Sequence, residues 1–315
     1  MKKIVYLFFA IHMTVAAMAQ EVKFHFSDGI YNMTLKERME QRVSVLLSEI
    51  NAASKENRKL NLNGVTSPEA AARLEKIWEN FGFVCQSNPQ SICYGLVSGY
   101  QARNIQATIV RQPEDCNDPK TRELTVSFDK TGVITRVAFA LQNNRLTVSD
   151  GETQVYDARR RNEILKFVED FRNYYIEKDI VSLKKIYSED ALIITGKVTD
   201  TRAEGGEFAG KIKKRIQYTI QDKETYLNRL STLFKNNKYI DVQFDDIMIS
   251  PANSESMKNY YGVNLIQRWK TDAYQDTGYL FLLWDFNEDP PVVHVRAWQP
   301  KETPNDDIIM LDDYR

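Results

Sequence analysis

The residues best equipped for chemistry lie on one short stretch near the end of the chain. Val292–Trp298 alternates so that His294, Arg296 and Trp298 share one strand face, while Val293, Val295 and Ala297 share the other. An imidazole can exchange a proton near neutral pH and a guanidinium can hold an anion. Asp285, on the preceding run Tyr279–Phe286, is the nearest carboxylate. A face carrying an imidazole, a guanidinium and an indole is either the lining of a pocket or a half-exposed sheet surface. For catalysis, His294, Arg296 and Asp285 must converge on one cavity.

Other chemistry is sparse. The chain has 3 histidines and 3 cysteines, too few and too scattered for a usual zinc site. No EF-hand spacing, P-loop or dinucleotide-binding glycine pattern occurs. No metal or cofactor is therefore expected. Asp245-Asp246 and Asp306-Asp307 read as solvated acidic pairs, and nothing singles out two carboxylates facing each other across a cleft. With 42 basic and 43 acidic residues and no dense basic stripe, nucleic acid is not expected as a partner: Lys211 to Arg215 is too short a run, and Arg159 to Arg161 reads as a solvated helix start.

The beginning of the chain points to export. Lys2 and Lys3 precede an apolar run from Ile4 towards Ala16, and Ala17-Met18-Ala19 supplies small residues before Gln20. Residues 1–19 are expected to be a signal peptide, and the mature chain to be periplasmic or secreted. A membrane anchor needs about 20 apolar residues; this run is shorter and is broken by His12. No membrane insertion is expected after cleavage. Export makes Cys85, Cys93 and Cys116 a disulfide question. A hairpin of Ile92–Val97 with Tyr100–Val110 about Ser98-Gly99 sets Cys85 opposite Cys116, leaving Cys93 as a buried thiol. Cys85 with Cys93 is the alternative pairing.

Local patterns in the chain specify the helices and strands that carry these groups. Thr34-Leu35-Lys36-Glu37 has the spacing of a capping box, and Met39, Val43, Leu46 and Ile50 form the apolar stripe of the helix that follows. Ser67-Pro68 opens a second helix, with Ala71, Leu74, Ile77 and Trp78 inward. From Ile92 the period becomes two, and Glu123–Leu141 reads as a hairpin about Asp129-Lys130-Thr131-Gly132. The expected organisation is an α+β domain over 21–148, a linker over 149–160, a second domain over 161–300 and an acidic, loosely docked tail over 301–315. In the second domain, Ile164, Val168, Phe171 and Tyr175 form a helical stripe. A short helix spans Asp179–Tyr187 and a strand Ala191–Ile194. Thr195–Gln221 is either a β-arm or a functional loop. A helix over Glu224–Asn236 and three long stretches of strand complete the domain.

That order, with the phrases NEILKFVEDFRNYYIEKD, IYSEDALIITG, KETYLNRLSTLFKNNKYI, YLFLLWDF and VVHVRAWQP, resembles the nuclear transport factor 2-like (NTF2-like, SnoaL-like) family. The likeness covers Arg161 to about Pro300. The whole chain also resembles uncharacterised secreted bacterial two-domain proteins that join such a domain to an N-terminal α+β module, a likeness that implies no activity. The family resemblance implies a cone of curved antiparallel sheet and three helices, whose open end can hold a small ligand. Enzymes and non-enzymes share this fold. Where isomerase-like members place an aspartate base, this chain reads Leu192-Ile193-Ile194-Thr195-Gly196. Dehydratase-like members need paired histidines, and the mature chain has His25 and His294. The Asp–Arg–Asp set of epoxide-hydrolase-like members is approached by Asp285 with Arg296.

The leading expectation is thus an exported, non-catalytic binding or interaction protein, whose cone takes a small apolar ligand or docks a protein. Tyr174, Tyr175, Tyr187, Phe281, Trp284 and Trp298 are the aromatic residues that could line it, with His294 and Arg296 beside them. The alternative is a small-molecule isomerase, dehydratase or hydrolase using His294, Arg296 and Asp285 or Tyr175. A third reading makes the sheet face a homodimer surface carrying Arg268, Arg296 and Trp298.

Overall fold

The computed structural model describes residues 21–96, 98–113, 120–141, 147–148, 158–202, 212–252 and 254–314. The expected signal peptide, residues 149–157 of the expected linker, and Cys116 lie outside the described residues.

The first unit comprises β1 (His25–Asp28), α1 (Met33–Glu56), α2 (Pro68–Asn80), β2 (Gly82–Cys85), β3 (Gln90–Gly95), β4 (Gly99–Arg111), β5 (Thr121–Asp129) and β6 (Ile134–Phe139). Its sheet runs β1-β3-β4-β5-β6, with β2 also paired to β4. α1 starts earlier than the Thr34 box implies. The Asn32 side chain accepts from the Leu35 amide at 3.1 Å, which makes Asn32 the cap and places Thr34 inside the first turn. Ser67 caps α2 as expected, with Pro68 in the first turn. The turn between β5 and β6 is held by Asp129, whose Oδ1 accepts from the amides of Thr131 and Val133, and Gly132 adopts φ +81°.

The cysteine register differs from the expected one. The β3–β4 hairpin closes with Gly95 opposite Tyr100 and Cys93 opposite Ala102, and a left-handed Asn104 interrupts the ladder further along β4. β2 then lies beside β4 with Cys85 opposite Ala107. Cys85 and Cys93 are both free and buried, so the Cys85–Cys93 alternative is not formed, and the Cys85–Cys116 pairing falls on a residue outside the described ones. Burial pushes both thiols up to about 12.

The second unit comprises β7 (Thr147–Val148), α3 (Ala158–Ile176), α4 (Ile180–Ile186), β8 (Tyr187–Arg202), β9 (Ile212–Gln221), α5 (Lys223–Asn236), β10 (Ile240–Pro251), β11 (Tyr260–Thr271), β12 (Gln275–Asp285) and β13 (Val292–Pro300). The seven strands run β7-β10-β11-β12-β13-β8-β9. This is the α+β element order that the resemblance implies. Thr147–Val148, expected at the end of the first domain, pairs with β10 and so belongs to the second sheet. The described parts of Thr195–Gln221 form a β-arm: β8 and β9 pair without interruption from Ile193–Gln221 to Arg202–Ile212.

One face of this sheet packs against α3, α4 and α5 around Val168, Phe171, Leu183, Leu230, Val263 and Leu282. The other face is closed by the C-terminal tail, expected to be loose or lightly docked and here packed on the sheet. Leu311 is buried with Phe281, Leu283, Val295 and Ala297, and the Tyr314 ring stacks on Phe281 at 5.4 Å.

α3 joins the two units. Its apolar stripe faces the second core, while Glu169, Asp170, Arg172, Asn173 and Glu177 are buried as well. Besides Lys166 beside Asp170 and Arg172 beside Asn173 on the same helix, their partners come from the first unit. Arg103 grips Glu169 through two bonds of 2.6 and 3.0 Å. Arg136 meets Asp170 at 2.6 Å and Glu177 at 2.9 Å, and Arg73 meets Glu177 and Asp179, both at 2.9 Å. Arg172 donates back to the carbonyls of Phe139 and Ala140. Tyr174, expected in the cone, instead lies against the guanidinium groups of Arg73 and Arg136.

Removing one member of such an array leaves a buried charge unpaired. Arg136→Ala is expected to destabilise the protein by about 3–5 kcal/mol in urea unfolding. Native protein treated with a thiol reagent at pH 8 and peptide-mapped should show Cys85 and Cys93 unlabelled, and both should label in urea.

Candidate functional site

The geometry of the candidate residues is set by one extra residue in β13. Leu283 pairs with Val295, but Trp284 pairs with Val293, so His294 is a β-bulge. The bulge reverses the side-chain phase. Val293, Arg296 and Trp298 face the helices, as their partners Trp284, Leu282 and Leu280 do, whereas Val295 and Ala297 face the tail. The expected grouping of His294 with Arg296 and Trp298, opposite Val293, is therefore corrected.

His294 lies in a polar cluster beyond the end of the core. Its Nε2 is 3.3 Å from Asp285 Oδ2, its Nδ1 is 3.5 Å from Asp190 Oδ1, and its ring lies 5.7 Å from that of Tyr260. Burial raises the Asp285 pKa, but hydrogen bonds from the Asn287 amide, Tyr260 and His294 outweigh it and hold the carboxyl below its usual value. These contacts tie the β12–β13 turn to the start of β8.

Arg296 lies on the other side of the sheet, buried, with its guanidinium 5.2 Å from the Tyr226 ring. Tyr175 Oη is 2.9 Å from Tyr187 Oη and 2.8 Å from Tyr226 Oη. Burial raises the Tyr187 and Tyr226 pKa values well above the ordinary phenol range, so both remain protonated. Arg296 forms no ion pair with a carboxylate among the described residues, and its Nε has no hydrogen-bond partner there. His294, Asp285 and Arg296 thus do not converge, and the Asp285–Arg296 pairing is not formed.

The deep part of the cone is filled. Trp284 is fully buried against Phe167, Phe171 and Phe286, and Tyr175 and Tyr187 pack edge-on to Phe171. Phe281 is on the opposite face, beneath Tyr314. Of the expected lining residues, Trp298 borders open space: a cleft of about 640 Å³ at the rim, whose wall also includes Trp269, Tyr274, Asp276 and Thr277. Asp276 stands opposite Trp269 across the β11–β12 pair, and the Trp298 ring lies close over Gly278, where a Cβ would come within 2.9 Å of it. Burial raises the Asp276 pKa above the ordinary carboxylate value, against the opposing effects of the Tyr274 hydrogen bond and the Arg296 charge. Asp276 Oδ1 and Trp298 Nε1 are shielded from water and have no hydrogen-bond partner among the described residues. Such orphaned groups each cost about 1–3 kcal/mol.

Asp276 and Trp269 were missed in the sequence, where Asp276 sits in the polar stretch Tyr274–Thr277. Recognising them needed the register that sets Trp269 opposite Asp276. Among the described residues, no group of three or more His, Cys, Asp or Glu could hold a metal ion, and no helix is long and apolar enough to cross a membrane.

No family model matches the chain. No curated protein matches it either. Among solved structures it is similar to Bd1075 of Bdellovibrio bacteriovorus, at 17% identity and a TM-score of 0.35 over 55% of this chain and 47% of that one. An NTF2-like protein of unknown function from Pseudomonas putida is 9% identical, with a TM-score of 0.32 over 45% of this chain and 87% of that one. The helical cell shape determining protein Pgp2 of Campylobacter jejuni is 15% identical, with a TM-score of 0.33 over 44% of this chain and 40% of that one. The chain spans under half the length of Bd1075 and of Pgp2. At these scores the likenesses assign no activity.

A buried cation without a carboxylate is costly to keep. Arg296→Met, which retains most of the volume and removes the charge, is expected to leave stability within about 1 kcal/mol of the parent or above it. A loss of several kcal/mol in urea unfolding would mean that the phenols fully compensate the charge.

Proposed function

We propose that the chain is an exported binding protein whose second unit holds a small amphipathic molecule in the cleft at the rim of the cone, against Trp269 and Trp298. The observation that carries this reading is an open cleft walled by two indoles, Trp269 and Trp298, with Arg268, Lys270 and Asp276 beside them. The indoles offer apolar surface to a ring, and the charged side chains offer partners for its polar groups. A ring-bearing molecule with a polar or charged group suits such a wall. Pockets that combine apolar walls with a few polar groups are the usual form of a small-molecule site.

Binding is favoured over turnover by the dispersal of the titratable groups. Asp276 is at the rim, His294 is engaged with Asp190 and Asp285 beyond the bulge, and the phenols of Tyr187 and Tyr226 stay protonated beneath Arg296. Export rests on the Lys2–Ala19 pattern.

The test uses anilinonaphthalene sulfonate, an aromatic anion, titrated into the mature protein and followed by its fluorescence. Trp298→Ala is expected to weaken binding at least about tenfold, which is about 1.4 kcal/mol, and His294→Ala to leave it unchanged. Asp276 loses its charge as pH falls through its raised pKa, so affinity for the anion should rise on acidification, and Asp276→Asn should flatten that dependence. Parent-like affinity in Trp298→Ala would put the probe elsewhere and remove the cleft as the site.

A further inference from the structure

The two edges of the second sheet differ. At one end, β10 is partly covered by β7. At the other, β9 pairs with β8 on one side, and no described strand lies on its other side. A strand in this position presents unused amide and carbonyl groups along its length. Natural edges are usually blunted by charge, proline or a bulge. Lys214 and Arg215 provide charge in the first half of β9, but Ile216–Gln221 has no charged residue, proline or register break. The same segment exposes large apolar surface: Ile220 is 67% exposed and Tyr218 42%. Both side chains border a groove of about 800 Å³ with Ile194, Val198 and Ile216. The outer face of β12 and β13 is already occupied by Leu311 and Tyr314 of the same chain. Trp298 and Arg296, expected on a homodimer face, point towards the helices.

We propose that β9 pairs antiparallel with β9 of a second copy of this chain, about a two-fold axis at Tyr218, joining the two sheets edge to edge. Residues opposite each other in an antiparallel pair point to the same face, so a two-fold pairing of identical strands must centre on a residue. Centred on Tyr218, the pairing sets Ile216 against the partner's Ile220 and Lys214 against the partner's Asp222, each twice by symmetry. It also sets Arg215 against the uncharged Gln221. Centring on Thr219 would put Ile216 against a carboxylate. Centring on Gln217 would put Lys214 against Ile220. The strand is therefore complementary to itself in one register, in charge and in apolarity, which favours a second copy over an unrelated extended peptide. Asp222 is accessible for this contact: it is exposed while its Oδ1 caps α5 through the Thr225 amide.

The proposal does not depend on the rim cleft and can fail separately from it. The mature protein is examined by size-exclusion chromatography with light scattering across the micromolar range, where a dimer is expected. Ile220→Lys places two cations beside the axis in an exposed position that folding does not require, and should weaken the dimer at least about tenfold. Directly opposed Cβ atoms in an antiparallel pair lie about 4.5–5.5 Å apart. Tyr218→Cys in a Cys116→Ser background should therefore give a covalent dimer on mild oxidation, whereas Lys214→Cys in the same background should not. A monomer throughout the range overturns the proposal. So does a dimer that survives Ile220→Lys and is not cross-linked by the Tyr218→Cys variant, because that dimer would use another surface. Circular dichroism matching the parent confirms that each variant is folded.

Discussion

The structure depends on α3 being buried on both sides. Its apolar stripe serves one core, and its charged side is buried against a different sheet. Charges removed from water require partners in place, because an unmatched one costs several kcal/mol. Arg73 from α2, Arg103 from β4 and Arg136 from β6 must therefore arrive in register with Glu169, Asp170 and Glu177. An apolar contact could slide by a residue at small cost; paired guanidinium and carboxylate groups cannot. Such an array adds less to net stability than its distances suggest, since desolvation offsets much of the attraction, but it makes one placement of α3 far better than its neighbours.

That placement continues into the cone. The end of α3 carries Tyr175, which bridges Tyr187 and Tyr226, and Arg296 lies over this phenol cluster. The interior is consequently closed, and open volume remains at the rim, where β11, β12 and β13 present Trp269, Asp276 and Trp298. The first unit thus acts on the rim indirectly, through the helix that fixes how deep the cone can be.

Much of this architecture is legible in the sequence because it repeats. The stripes Met39–Val43–Leu46–Ile50 and Ile164–Val168–Phe171–Tyr175 announce their helices, and Ser67-Pro68 and Asp129-Lys130-Thr131-Gly132 announce a helix start and a turn. The order of elements in the second unit gave its fold. What resisted reading was what happens once. The bulge at His294 inserts a single residue, with no side-chain signature, and it reverses the face of everything before it on the strand. The β3–β4 turn closes with Gly95 opposite Tyr100, and β2 then sets Cys85 opposite Ala107, a register that the turn residues alone do not announce. Periodicity reported the apolar side of α3 and was silent about its charged side, because solvated and paired charges look alike in a sequence. Asp276 was passed over for a related reason: it stands out from other acidic residues through its neighbours across the sheet, and those neighbours are distant in the chain.

The cover on the outer face of the second sheet has a consequence for synthesis. Phe281, Leu283, Val295 and Ala297 are covered by Leu311 and Tyr314, which follow every strand of the cone in the sequence. Chains are made from the amino end, so this strip of the sheet stays bare until residues 311–314 have been added. A ribosome that stops shortly after Pro300 would release a chain with every strand of the cone but an uncovered apolar back, a surface that quality control should recognise.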